Sequence, residues 1–211
     1  LRKESSDIEV FQQVITNHEY LPLLKKIAFK TDENITIVDC GANIGLSGIY
    51  LDSFFQHKTK LFLLEPFKDN YDLIQQNLKL NSIDATALNQ ALWVSNSNLS
   101  LNNSFRDGKE WSITVEENEN GKIPGVCLKS LMLNQNINGI DILKIDIEGS
   151  EFPVFLNSQE NRDCLEKVKA IFIEIHDDVG DRQKLYEMFK EYQFKVIEFG
   201  ELTLFINTKF N

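Results

Sequence analysis

Three stretches of this chain carry residues whose types and spacing could do chemistry. In Ile35-Thr36-Ile37-Val38-Asp39-Cys40-Gly41-Ala42-Asn43-Ile44-Gly45 an apolar, β-branched run ends in an acid, and two glycines four apart follow before a helical pattern from Leu46. That order predicts a buried strand, a tight loop and a helix N-terminus. In an open α/β sheet this place receives phosphate, carboxylate or ribose groups. In Asp141-Ile142-Leu143-Lys144-Ile145-Asp146-Ile147-Glu148-Gly149-Ser150-Glu151, a period of two puts Lys144, Asp146 and Glu148 on one face if the strand runs that far. Polar groups are costly on a central parallel strand, so Lys144 must find a carboxylate or a polar cleft. A structural ion pair would satisfy it; so would a charged catalytic edge. In Ile171-Phe172-Ile173-Glu174-Ile175-His176, Glu174 and His176 share a face at the same edge, on the expected neighbouring strand.

His176, followed by Asp177 and Asp178, titrates near neutral pH and could take a proton from a hydroxyl. A hydrogen-bonded structural histidine is the alternative. His18 and His57 stand isolated and are expected at the surface. Two acids and a histidine could also chelate a divalent cation, but their spacing matches no known metal motif and no metal is expected.

The glycine spacing narrows the ligand. A dinucleotide loop wants Gly-x-Gly-x-x-Gly, whereas position 43 is Asn and position 46 is Leu. The Gly-Lys-Ser/Thr ending of a phosphate loop is absent as well. What stands is Asp39-x-Gly41-x-Asn43-x-Gly45, with an acid at the next strand end in Lys60-Leu61-Phe62-Leu63-Leu64-Glu65-Pro66. An acid about 20 residues beyond the loop is placed to accept from ribose hydroxyls. A nucleoside without a pyrophosphate fits, and S-adenosylmethionine is the obvious candidate. A plain strand–turn–helix with glycines for packing is the bland alternative.

The elements that would position these groups alternate. Ser6-x-x-Glu9 suggests a capping box, with Ile8, Phe11, Val14 and Ile15 at helical spacing, so residues 1–30 read as an amphipathic helical segment beside the first strand or over its ligand. Strand Leu61–Glu65 is followed by a helical pattern from Asp69 to Leu80, and Ala85–Leu92 reads as a third strand. Strand Asp141–Asp146 precedes a short helix at Phe152–Leu156; strand Ala170–Ile175 precedes a helix at Asp181–Tyr192. Such alternation implies βαβ units, a parallel sheet and helices on both faces. Residues 95–125 are polar, with β-like fragments at Leu99–Leu101 and Trp111–Val115, and read as an inserted hairpin and loop roofing the site. Phe194–Phe199 and Leu202–Ile206, joined by Gly200-Glu201, must pair antiparallel. No repeat or linker divides residues 1–211, so one domain is expected.

Composition sets the outer bounds. The chain has 211 residues, 42% hydrophobic and 26% charged, which suits a globular domain with a full core. A net charge of −10 argues against a nucleic-acid partner and against an anionic membrane surface. Three cysteines with no close-spaced pair argue against a disulfide framework or thiolate zinc site and for a reducing, cytoplasmic setting. No stretch reaches the ~20 apolar residues of a membrane span, and no signal peptide is visible.

Taken together, Val38–Gly45, Glu65-Pro66 with Asn70 and Asn77, Leu143–Glu151 and Ile173–His176 resemble the FkbM-type family of S-adenosylmethionine-dependent methyltransferases. Ser6-Asp7-x-x-Val10-Phe11 and Glu19-Tyr20 resemble that family's opening segment. The resemblance implies a Rossmann-like class I methyltransferase fold: α/β, with a mostly parallel seven-stranded sheet ending in an antiparallel hairpin. It further implies methyl transfer to a hydroxyl oxygen, often of a sugar or glycosylated metabolite, with residues 95–125 carrying acceptor choice. On this reading Asp39 and the Gly41-Ala42-Asn43 to Gly45 backbone hold the amino-acid end of the cofactor, and Glu65-Pro66 the ribose. Asn89, Gln90 and Ala91 border the adenine, with Asp146 beside the cofactor. Asp146 or His176 is the base, Glu148 and Glu174 orient it or the acceptor, and Lys144 fixes a neighbouring charge. The rivals are a nicotinamide-dependent oxidoreductase on a similar sheet and a non-catalytic member of the family.

Overall fold

The computed structural model describes residues 1–29, 33–102 and 114–210. Two short helices, α1 (Asp7–Phe11) and α2 (Leu21–Leu24), flank a π-helical turn at Gln12–Thr16. Then come β1 (Ile35–Cys40), α3 (Leu46–Phe54), β2 (Thr59–Leu64), α4 (Lys68–Leu80), β3 (Ala85–Leu88) and β4 (Ala91–Leu92). The middle of the chain gives β5 (Asn98–Asn102), β6 (Thr114–Glu117), β7 (Ile123–Val126) and α5 (Leu128–Asn134). It closes with β8 (Ile140–Ile145), α6 (Glu151–Leu156), α7 (Gln159–Asp163), β9 (Val168–Glu174), α8 (Arg182–Glu191), β10 (Phe194–Phe199) and β11 (Leu202–Asn207).

The main sheet has the order β10-β11-β9-β8-β1-β2-β3. All its pairings are parallel except those of β11, which runs antiparallel to both β9 and β10. β1 feeds β2 and β3 on one side, while β8 and β9 lie on the other. The strand order therefore reverses between β1 and β8, and their carboxyl ends open the crevice where such sheets take ligands. Successive residues of β1 point to opposite faces, which is why Val38 joins one core with β8, α6 and α8 while Ile37 joins another with α2, α3 and α4. Burial on both faces explains the unbroken apolar runs of β1, β8 and β9. Among the described residues, no helix is long and apolar enough to cross a membrane.

Four expectations are corrected. Ser6 has helical backbone angles and its side chain caps nothing, so the capping box does not form. Ile8 and Phe11 are exposed, and only Val14 of the predicted apolar stripe is fully buried, because α1 gives way to the π turn after five residues. Ala85–Leu92 is not one strand. It breaks at Asn89-Gln90, where the Asn89 amide donates to the carbonyls of Glu65 (2.8 Å) and Pro66 (2.9 Å); β4 then leaves the main sheet to pair with β7. The strand carrying Lys144 ends at Ile145, so Glu148 does not share its face: it sits in a turn at φ +54°. The insert is hairpin-like, β5 pairing antiparallel with β6 and β7. The fragment expected at Trp111–Val115 lies mostly outside the described residues, which resume at 114.

Candidate active site

The loop after β1 is shaped by what it must approach. Gly41 (φ +76°) lies so near β8 that a Cβ there would meet the Asp146 carbonyl oxygen at 1.7 Å. Gly45 (φ +85°) turns the chain into α3, and Asn43 also takes a positive φ of +51°. The Asn43 N–H donates to Glu65 Oε2 (2.8 Å) and the Phe67 N–H to Glu65 Oε1 (2.9 Å), so the acid ending β2 holds both loops at the crevice. Burial raises the Glu65 carboxyl to about 7, against the lowering effect of those two donors. Asn77 supports the loop from behind by donating to the Ile44 carbonyl at 2.8 Å.

Below the loop lies a charge network. Register sets Asp39 of β1 directly across from Lys144 of β8. Lys144 is 2% exposed; its ammonium donates to the Gly41 carbonyl (2.7 Å) and pairs with Asp39 Oδ1 (3.2 Å) and Asp146 Oδ2 (3.5 Å). Burial alone would lower its proton affinity, but Asp39 and Asp146 outweigh it and hold the lysine charged. Asp39 is fully buried and also accepts from the Ser47 hydroxyl. It lines neither of the cavities described below. Asp39 thus fixes Lys144 and Ser47 beside the glycine loop.

A second network follows β8. Glu151, fully buried at the start of α6, accepts from the His176 backbone N–H (2.8 Å), from the Gly149 N–H (2.9 Å) and from His176 Nδ1 (3.0 Å). His176 Nε2 faces Glu148 at 3.5 Å and Glu174 at 3.7 Å. Burial works to lower the imidazole's proton affinity, but the hydrogen bond to Glu151 and three surrounding carboxylates raise it above the usual histidine range. Glu174 is raised as well, first by burial and then by the nearby Asp146 charge. Glu151 is the residue that sequence reading passed over. Its signal was its place closing the Asp-Ile-Glu-Gly-Ser-Glu run, but its partner lies 25 residues on.

Two cavities open over these networks and meet at Gly41, Asn43, Asp146 and Glu148. The first encloses about 630 Å³, with Glu65 and Asn70 among apolar walls that include Pro66, Phe67, Leu92 and Ile147. Ala91 lines it; Asn89 and Gln90 do not, since Asn89 is spent on clamping the β2 loop. The insert reaches this first cavity through Val115. The second encloses about 1210 Å³ and is roofed by the N-terminal segment, with Glu9, Gln13, Glu19 and Tyr20 facing Lys144, Glu174, His176 and Glu201. Among the described residues, the N-terminal segment lines the acid-lined cavity together with the strand ends. An apolar slot with one buried carboxylate, joined to a glycine loop beside paired charges, fits an adenosine bearing a charged amino-acid tail.

Comparison with known proteins agrees with this geometry. Residues 39–207 match the model of the Methyltransferase FkbM domain. A curated relative, methyltransferase sdnD of Sordaria araneosa, is 26% identical over 220 residues, covering 89% of this chain and 82% of that protein. A solved FkbM methyltransferase from Methylobacillus flagellatus superposes with a TM-score of 0.55 at 18% identity, over 85% of this chain but 44% of that one, so this chain spans less than half of that protein's length. A putative rRNA-methylase from Clostridium thermocellum superposes at 0.51, with 12% identity over 98% of this chain and 97% of that one. These structures share the fold. With the family model spanning most of the chain, over the glycine loop and both charge networks, the protein belongs to the FkbM methyltransferase family, whose methyl donor is S-adenosylmethionine.

Proposed function

We propose that this chain transfers a methyl group from S-adenosylmethionine to a hydroxyl oxygen of a small molecule, a sugar or a glycosylated metabolite. The observation that carries the reading is the junction of the two cavities at Asp146, where an apolar slot opens into an acid-lined space. Glu65 would accept from the ribose hydroxyls, Ala91 and Leu92 would flank the base, and the Gly41–Gly45 backbone would cradle the amino-acid end. Bound there, the sulfonium supplies an electrophilic methyl group.

Alignment then carries most of the rate. An alcohol held in the acid-lined cavity would have to lie in line with that methyl group, its hydroxyl proton passing to a carboxylate of this chain. Asp146, on the boundary between the cavities and 33% exposed at its side chain, is the group we assign to that proton. Lys144 positions Asp146, and Glu151 positions His176. Participation of the N-terminal segment and of Leu202 in one cavity supports treating residues 1–211 as one domain. Three unpaired, buried cysteines support a reducing, cytoplasmic setting.

The test is transfer of labelled methyl to a panel of saccharides, glycosides and simple alcohols. Asp146→Asn should reduce kcat by about 10²- to 10⁴-fold on an accepted substrate while the protein still binds S-adenosylmethionine. Turnover within a factor of a few of the parent would remove Asp146 from the role of base. Binding of the donor with no transfer to any acceptor would favour the non-catalytic rival.

A further inference from the structure

We propose that Asp146, Glu174 and His176 form a binding site for a hard divalent cation of the Mg²⁺ or Mn²⁺ class at the floor of the acid-lined cavity. One ligand atom from each of the three lies within 4.8 Å of the others. Bonds of about 2.1 Å place opposite ligands about 4.2 Å apart, so closure needs a small rotation of the two carboxylates. Both are free enough to make it, with side chains 33% and 29% exposed.

The imidazole makes this more than a patch of acids. His176 is 6% exposed, and among the described residues its Nε2 makes no hydrogen bond: the carboxylates of Glu148 and Glu174 stand off at 3.5 and 3.7 Å. Its other nitrogen is fixed. Glu151 has only acceptors to offer when ionised, so Nδ1 carries a hydrogen and Nε2 is the nitrogen to ligate, releasing its proton to solvent as the cation binds. A buried carboxylate behind a histidine whose far nitrogen faces two further carboxylates is the arrangement that orients metal-bound imidazoles. One nitrogen and carboxylate oxygens suit Mg²⁺ or Mn²⁺, and thiolates are absent from the set. Glu148 and Glu201 face the same cavity and add to its negative charge. Cation binding at this site does not rest on the function proposed above.

The experiment titrates Mn²⁺ into the full chain without S-adenosylmethionine, reading free Mn²⁺ by electron paramagnetic resonance. One saturable site is expected, displaced by Mg²⁺ and weakened tenfold or more by Glu174→Gln and by His176→Gln. Glu201→Gln, which removes an equal charge from the same cavity, should weaken it less than threefold. Each variant is checked for donor binding by calorimetry in EDTA, which reports folding and tests the donor reading separately; Asp146→Asn substitutes for any variant that fails that check. No loss of free Mn²⁺ signal at about 1 mM would overturn the proposal. Equal weakening by Glu201→Gln and the two ligand variants would overturn it too, leaving a diffuse acidic field.

Discussion

At the scale of single residues, the site depends on side chains that touch the backbone of other strands. Gly41 is glycine because β8 leaves no room for a Cβ beside the Asp146 carbonyl and because the loop there needs a positive φ. Gly41→Ala is expected to cost about 3 kcal/mol or more of stability, read as a fall in the urea midpoint, and to abolish donor binding before it abolishes folding. An unchanged midpoint would mean that the loop and β8 are not in contact. The glycine spacing, Glu65, Asp146 and the Glu174–His176 pair were legible in the sequence because each sits at a strand end, where period and polarity can be read locally. Asp39 was legible as a strand-end acid, but its partner was not. Lys144 lies 105 residues on in a register that no local pattern reveals. Glu151 escaped notice because its role exists only once α6 packs against the end of β9.

At the scale of elements, the break between β3 and β4 matters more to the site than either strand. An apolar run through Ala85–Leu92 has no local mark of a break except Asn89-Gln90, and nothing local favours a kink there over a polar edge residue. At the kink Asn89 satisfies the carbonyls of Glu65 and Pro66, two residues that line the first cavity. Asn89→Ala removes both hydrogen bonds and should cost about 1–2 kcal/mol, with S-adenosylmethionine affinity falling three- to tenfold as Pro66 and Ala91 lose their setting. Calorimetry checks this; an unchanged affinity would mean that the clamp serves the fold alone. The N-terminal segment shows the opposite limit. Its apolar spacing promised one amphipathic helix, but a π turn intervenes at Gln12–Thr16, and that turn brings Gln13 and Val14 to the acid-lined cavity. Period alone cannot distinguish a helix from a helix with one residue too many per turn.

At the scale of the whole molecule, alternation and the two-residue link before β11 made a parallel sheet with an antiparallel final pair legible, while the order β10-β11-β9-β8-β1-β2-β3 comes from the structure. The reversal between β1 and β8 then gathers residues from 39 to 176 at one rim. On the function proposed above, this rim binds S-adenosylmethionine with Glu65 ionised against its ribose. Burial raises Glu65 to about 7, so the group binds more protons folded than unfolded around pH 5 to 7, and its ionisation costs the unliganded fold stability as pH rises through that window. Donor binding should run the other way. Ribose hydroxyls donate to the ionised carboxylate, so affinity should climb as pH rises from 6 to 8 and level off above. Isothermal calorimetry with S-adenosylmethionine across that range, on the parent and on Glu65→Gln, is the direct measurement. Saturable binding that strengthens with pH in the parent and is at least tenfold weaker and pH-flat in Glu65→Gln is the expected result. No binding heat at any pH, or equal affinity in both proteins, would contradict it.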